Sequence, residues 1–289
     1  MKKYKNITAK AVMSLLLLGC SLFLGTWAIS AHASNIPVSE NSKEKYLLQV
    51  DYSRTDGTVS QSLFHYDNHG RLEAFSNQLN ADTGDRSLEY RFTYDDFGNL
   101  ESYREKSKVN PEATYQYSST GLLTGWSMWE YDMNELHYTC EYDEAGRLIR
   151  ETAENGNVTV YTYDQNGQLV SSSSRTFHGD MVGTEKSVYT YDSLGRVAEK
   201  TTTSDWGFGE TSVSVFQYRF DCVPFVVVSE YDNGQLMGVD MLYTEPTSGH
   251  TFSFFANQNP VFDIQDGYLA GVYTDDATYS FIYDSSIAS

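Results

Sequence analysis

From about residue 60 to residue 200 apolar and polar side chains alternate in short runs, each ended by a turn signal. Phe92-Thr93-Tyr94, Tyr161-Thr162-Tyr163 and Tyr189-Thr190-Tyr191 each set a polar residue between two aromatic ones. A period of two puts one set of side chains on a buried face and the other in water, the pattern of antiparallel strands in a one-sided sheet. No long stretch of 3.6-residue period follows the N-terminal segment, so the pattern predicts an all-β chain.

The runs share a motif, Tyr-Asp-x-x-Gly-x-Leu. Its copies are Tyr66-Asp67 with Gly70 and Leu72, Tyr94-Asp95 with Gly98 and Leu100, and Tyr142-Asp143 with Gly146 and Leu148. Tyr163-Asp164 with Gly167 and Leu169, and Tyr191-Asp192 with Gly195 and Val197, follow. A copy at Tyr117, with Gly121 and Leu123, has Ser118 in place of the Asp, and Tyr231-Asp232-Asn233-Gly234-Gln235-Leu236 is a shortened one. The first six tyrosines stand 28, 23, 25, 21 and 28 residues apart, so loop lengths vary around a constant unit.

The unit reads as a hairpin turn. Asp and Gly at the first and fourth positions signal a type I turn, whose carboxylate takes a backbone N–H and whose Gly accepts positive φ. A left-handed Gly bulge after such a turn closes a β-hairpin. This geometry sets Asp67 opposite Arg71, Asp143 opposite Arg147 and Asp192 opposite Arg196 on the outer face. It sets Tyr66 opposite Leu72, Tyr142 opposite Leu148 and Tyr191 opposite Val197 on the inner face. Two residues ahead of each Tyr stand Phe64, Phe92, Tyr115, Cys140, Tyr161 and Tyr189, which the alternation assigns to the same inner face. Cys140 is thereby expected to be a core thiol.

These residues resemble the YD repeats of the RHS family, found in bacterial wall-associated and toxin proteins and in animal teneurins. The resemblance covers about residues 45–240 and rests on five good copies. It implies a continuous strip of antiparallel β-hairpins, which in long family members spirals into a shell around a toxic cargo domain. Here the copies are too few to close a large shell and the Asp-Pro self-cleavage motif is missing. The strands continue to Phe281-Ile282-Tyr283-Asp284 where a toxin domain would stand. The expectation is a short solo strip, an elongated or partly curled sheet, with weak implied carbohydrate binding.

The rest of the chain divides around the strip. Lys2, Lys3, Lys5 and Lys10, the uncharged run Ala11–Ile29 and Ala31-His32-Ala33 make residues 1–33 a secretory signal cleaved after Ala33. Two alternatives are a lipoprotein anchored at Cys20, through Leu17-Leu18-Gly19-Cys20, and an uncleaved N-terminal membrane anchor. Residues 34–46 read as a flexible lead-in, 47–240 as the repeat sheet and 241–289 as divergent C-terminal repeats or a cap. Tyr46–Tyr52 with Ser60–Tyr66 reads as a first, atypical hairpin. Val223–Val228, Thr251–Phe255 and Tyr279–Tyr283 read as further strands.

Charge and composition narrow the function. The leader holds four lysines and no acid, so its removal takes the net charge from −19 to −23. Such a surface repels nucleic acid, anionic lipid and sulfated glycans. After cleavage the cysteines left are Cys140 and Cys222, for which export permits a disulfide. His65, His69, His137, His178 and His250 show no metal-ligand spacing, and the turn carboxylates lack the later ligands of a calcium loop. No nucleophile elbow or phosphate loop is present, so no catalytic residue, metal or cofactor is assigned. A carboxylate pair of an extracellular hydrolase is not singled out among 39 acids.

The aromatics outside the repeat positions carry the functional expectation. Trp126, Trp129, Trp206 and Phe208 fall between hairpins, where they either pack or present faces to a sugar or a protein. The sequence thus reads as a secreted or envelope-associated, non-catalytic module. Its partner is a glycan or envelope-surface ligand, or else a protein held by an interaction or cargo-escort scaffold.

Overall fold

The computed structural model describes residues 45–79, 87–129, 135–178, 181–206, 211–256 and 259–284. The leader with Cys20 and Ala33, the lead-in up to residue 44, and Phe208 lie outside the described residues. All strands belong to the compact unit that begins at Asn41.

The described residues form 20 strands in one antiparallel sheet, with no helix. They are β1 (Tyr46–Arg54), β2 (Val59–Tyr66), β3 (Leu72–Leu79), β4 (Ser87–Tyr94), β5 (Leu100–Glu105), β6 (Ala113–Tyr117) and β7 (Leu123–Trp129). Then come β8 (Glu135–Tyr142), β9 (Leu148–Ala153), β10 (Val158–Tyr163), β11 (Leu169–His178), β12 (Met181–Tyr191) and β13 (Val197–Asp205). The last are β14 (Thr211–Cys222), β15 (Phe225–Asp232), β16 (Gln235–Thr244), β17 (Thr251–Ala256), β18 (Val261–Gln265), β19 (Tyr268–Tyr273) and β20 (Ala277–Asp284). Tyr46 already belongs to β1, and residue 240 falls inside β16, so the strand pattern continues through both sequence-derived boundaries.

The register follows from the turns. Tyr66 pairs with Leu72, Tyr142 with Leu148 and Tyr191 with Val197, each just past a bulge. Gly70, Gly98, Gly146, Gly167 and Gly195 all sit at φ between 75° and 87°, the left-handed region that the bulge requires. Phe64, Phe92, Tyr115, Tyr161 and Tyr189 are buried on the inner face; Cys140 is half-buried there. His65 and His69 are exposed, on the outer face and in the turn.

Each strand pairs with the next except β17 with β18, and β20 pairs instead with β1. Among the described residues no ladder joins the two ends of the strip, β17 and β18, so hydrogen bonding leaves it open. Aromatic packing nonetheless lays late strands against early ones. Phe252 meets Phe64 and Phe75 at 4.9 and 4.6 Å, and Phe225 meets Phe281 at 4.7 Å. Phe225, Tyr243 and Phe252 share one face of β15–β17, because position 226 pairs with 242 and Tyr243 with Phe252. That face is opposite to the one that continues the repeat core through Phe216 and Glu230. The outer face of β15–β17 therefore covers the inner face of β2, β3 and β20, and Val227, Met241 and Tyr243 are almost wholly buried between them.

Candidate functional site

The chemically capable side chains of the repeat sit at fixed places in each hairpin. Asp67 Oδ1 accepts the N–H groups of His69 and Arg71 at 2.8 and 2.9 Å, while Oδ2 takes the Arg71 guanidinium at 2.8–2.9 Å. Asp143 and Asp192 repeat this with Arg147 and Arg196. The backbone N–H of Arg147, then its guanidinium, holds the Asp143 carboxyl below the usual carboxylate range. In the copy without Asp, the Ser118 hydroxyl takes over and accepts from Thr120 and Leu122.

The Tyr links one hairpin to the one before it. Tyr94 donates its hydroxyl to the Leu72 carbonyl, Tyr142 to Leu123, Tyr163 to Leu148 and Tyr191 to Leu169, at 2.6–2.8 Å. In each case the acceptor is the motif Leu of the preceding copy. The turn Arg reaches the other way: Arg71 lies over the Tyr94 ring at 4.9 Å and Arg147 over Tyr163 at 5.0 Å. Tyr, Asp, Arg and Leu thus form one connection repeated along the strip. The sequence pattern gave the pairing within each hairpin but not these bonds between hairpins, whose signal was the use of Tyr rather than Phe.

The candidate ligand-binding aromatics do not gather on one surface: Trp126 and Trp129 share β7 but lie on its two faces, and Trp206 lies just past β13. Trp126 stands in β7 on the inner face, stacked on Tyr138 at 4.0 Å with the planes 2° apart, and its Nε1 donates to Glu151 at 3.1 Å. Trp129, three positions on, belongs to the opposite face of the same strand. Its Nε1 is buried without a hydrogen-bond partner. Trp206 lies just past β13, its ring so close over Gly183 that a Cβ there would stand 2.4 Å from it. All three tryptophans are half-buried. Trp126 and Trp129 are therefore strand residues rather than inter-hairpin ones.

Several buried ionisable groups escaped the sequence reading. Glu151 on β9 is 5% exposed and accepts from the Trp126 indole and the Tyr161 hydroxyl. Burial raises its pKa, against the pull of those two bonds. Its cross-strand neighbour Cys140 has its thiol pushed up to about 12, first by burial and then by Glu151, so it is no nucleophile at neutral pH. Cys140 and Cys222 are both free thiols. Lys200 on β13 is buried, with its amine 5.3 Å from the Phe216 ring centroid. Burial lowers its pKa, while Glu185 and Glu230 act in the opposite sense.

A third group ties the C-terminal strands to the first ones. Glu245, after β16, is fully buried and accepts from the amides and hydroxyls of Thr247 and Ser248. Thr247 Oγ1 in turn accepts the Leu72 N–H at 3.0 Å. His250 is enclosed by Phe92, Tyr103 and Phe252, and burial takes its pKa down to about 4. Among the described residues no group of three or more His, Cys, Asp or Glu is gathered to hold a metal. A shallow groove of about 230 Å³ lies across β20, β1 and β2.

A family model described as "Teneurin YD-shell" matches residues 29–224. The tRNA3(Ser)-specific nuclease WapA of Bacillus spizizenii is 25% identical over 210 residues, which are 64% of this chain and 9% of that protein. The chain thus spans under a tenth of the length of this curated relative. Among solved structures, the Photorhabdus luminescens Tc holotoxin pore is 13% identical over 74% of this chain and 13% of that one, with a TM-score of 0.32. A porin-like protein from Bacteroides uniformis is 11% identical over 82% of this chain and 98% of its own, with a TM-score of 0.34.

Proposed function

The chain belongs to the teneurin YD-shell family, and from that premise we propose that it is an exported, non-catalytic repeat module that binds a carbohydrate or another cell-surface ligand. The observation that carries this reading is the use made of the repeat's reactive groups. The Asp carboxylates are committed to turns, the Arg side chains to those carboxylates and the next ring, and the Tyr hydroxyls to backbone carbonyls. Such a strip is a scaffold, and what it offers a partner is surface.

The test is to pass the exported chain over an array of glycans and wall fragments, beside Trp129→Ala and Trp206→Ala variants. Saturable binding to a defined glycan class supports the reading; a folded protein that binds nothing on the array counts against a carbohydrate ligand. A second reading, a protein-interaction or cargo-escort scaffold, draws on the exposed Val261, Ile264 and Ile282 of β18 and β20. Crosslinking followed by pulldown from native envelopes tests it, and an empty pulldown would remove it.

A further inference from the structure

We propose that the outer face of β19, β20, β1 and β2 holds a subsite for one uncharged pyranose ring, with the Tyr273 side chain as its platform. This rests on the reading of the chain as a binding module, and it names the ligand class and the place. The site is distinct from the tryptophans considered above.

The register builds the site as two rows across the sheet. One row runs Tyr273, Thr278, Ser53 and Val59; the next runs Gly271, Ser280, Asp51 and Gln61. Adjacent members of a row are about 4.8 Å apart. Gly271 leaves the second row without a side chain at its first position. The Tyr273 side chain lies in that gap: a Cβ on Gly271 would stand 3.0 Å from the Tyr273 hydroxyl and 3.3 Å from two of its ring carbons. Tyr273 is nevertheless 44% exposed, so the ring lies along the sheet with a face left to solvent.

The groove of about 230 Å³ is lined by Asp51, Ser53, Gln61, Thr278 and Ser280 among others; Tyr273 is outside that lining, and the register sets it next to Thr278 and its ring, over Gly271, next to Ser280. Its polar groups are held in place. The Asp51 carboxylate accepts the Gln49 amide at 2.8–2.9 Å and the Gln61 amide at 2.8 Å. Gln61, which lines the groove, has a second amide N–H and a carbonyl to offer a ligand, and Ser53 and Ser280 add exposed hydroxyls.

A flat aromatic face beside fixed amide, carboxylate and hydroxyl groups is what a sugar ring requires. Its C–H face covers the aromatic ring while its hydroxyls both donate and accept. The volume lies below the roughly 300 Å³ at which drug-sized pockets begin, so it takes a single ring. The chain's net charge, −19 with its leader and −23 without it, together with Asp51 in the groove, selects a neutral ligand over a uronate or sulfated sugar. One open subsite of this kind predicts millimolar affinity, with tighter binding only for glycans that reach further along the strip.

The test uses the full-length exported chain and saturation-transfer NMR with the methyl glycosides of glucose, galactose, mannose and N-acetylglucosamine. Expected is saturable millimolar binding of at least one glycoside, weakened tenfold or more by Tyr273→Ala, which removes the platform, and by Gln61→Ala, which leaves the ring in place. Both variants should keep the wild-type circular dichroism and melting temperature. Binding unchanged in both variants would overturn the site while leaving the binding-module reading standing. No binding of any glycoside by the folded wild type would overturn the site and its ligand class. The broader reading falls only if the glycan array and the envelope pulldown are blank as well.

Discussion

Two side chains show how position in this strip decides what a residue contributes. The motif Tyr could be replaced by Phe with little change in apolar burial, yet its hydroxyl holds the preceding hairpin's Leu carbonyl, as in Tyr163 with Leu148. A neutral hydrogen bond of this type contributes about 1 kcal/mol net. Tyr142→Phe and Tyr163→Phe should each lower the unfolding free energy by about that amount in urea titrations, with unchanged m-values. No loss in either variant would mean that the bond is replaced by water at no cost. His250 acts in the opposite sense. Its pKa falls from about 6.5 unfolded to about 4 folded, because burial excludes the proton. Above pH 6.5 both states are neutral and the group is silent. As pH falls from 6.5 to 4 the unfolded chain takes up the proton first, so stability drops by an amount approaching about 3 kcal/mol. Across that window wild type should lose stability faster than His250→Gln; parallel curves would show that His250 titrates normally.

At the scale of the element the unit is the hairpin, and here the sequence was most legible. The Asp carboxylate, the Gly bulge and the cross-strand partners are all set by residues within six positions of each other, so local chemistry fixes the register. The atypical first hairpin, in which Asp51 pairs with Gln61 and Tyr52 with Ser60, was legible without the motif, from its two strand-like runs alone. The copy at Tyr117 shows that the turn needs an acceptor at that position rather than a charge, because the Ser118 hydroxyl bonds the same two amides at longer range, 3.2–3.3 Å against 2.9–3.0 Å for Asp143. Asp143→Ser should therefore destabilise less than Asp143→Ala. The alanine variant leaves the Ala145 and Arg147 amide donors without their acceptor and removes the Arg147 ion pair as well. Equal loss in the two variants, read as denaturation midpoints, would shift the weight from turn hydrogen bonding to the Arg147 contact. The buried Glu151 and Lys200 were not legible, because strand alternation identifies which positions face inward but not which polar residue an inner face tolerates.

At the scale of the whole molecule the partner of each end was out of reach of local reading. The pairing of β20 with β1 joins residues more than two hundred positions apart, and nothing within either strand names the other. Nor does alternation tell which face of β15–β17 is covered, since Val227 and Val228 are both buried on opposite faces. Once made, these contacts brace the two terminal regions of the strip against each other, through Phe252 on Phe64, Thr247 on Leu72 and Glu245 within its loop. The strands between them depend mainly on their own ladders, and the ladders differ in length. β11 and β12 share eight register pairs, from Ser171 with Val188 to His178 with Met181. β5 and β6 share two, Ser102 with Thr114 and Tyr103 with Ala113, extended by the Glu112 N–H to the Tyr103 carbonyl. The segment joining them carries Val109, 89% exposed. Local opening is easiest where backbone bonds are few and the connection is open to water. Native-state hydrogen exchange should thus find lower protection for amides in the β5–β6 ladder than in β11–β12, and limited proteolysis should cut first between residues 106 and 112. The inner-face packing of Tyr103 on Phe92 and His250 holds β5 to the braced end, so the opening belongs to the β6 side. Equal opening free energies in both ladders would mean that the strip unfolds as one cooperative unit, braced along its whole length rather than at its two ends.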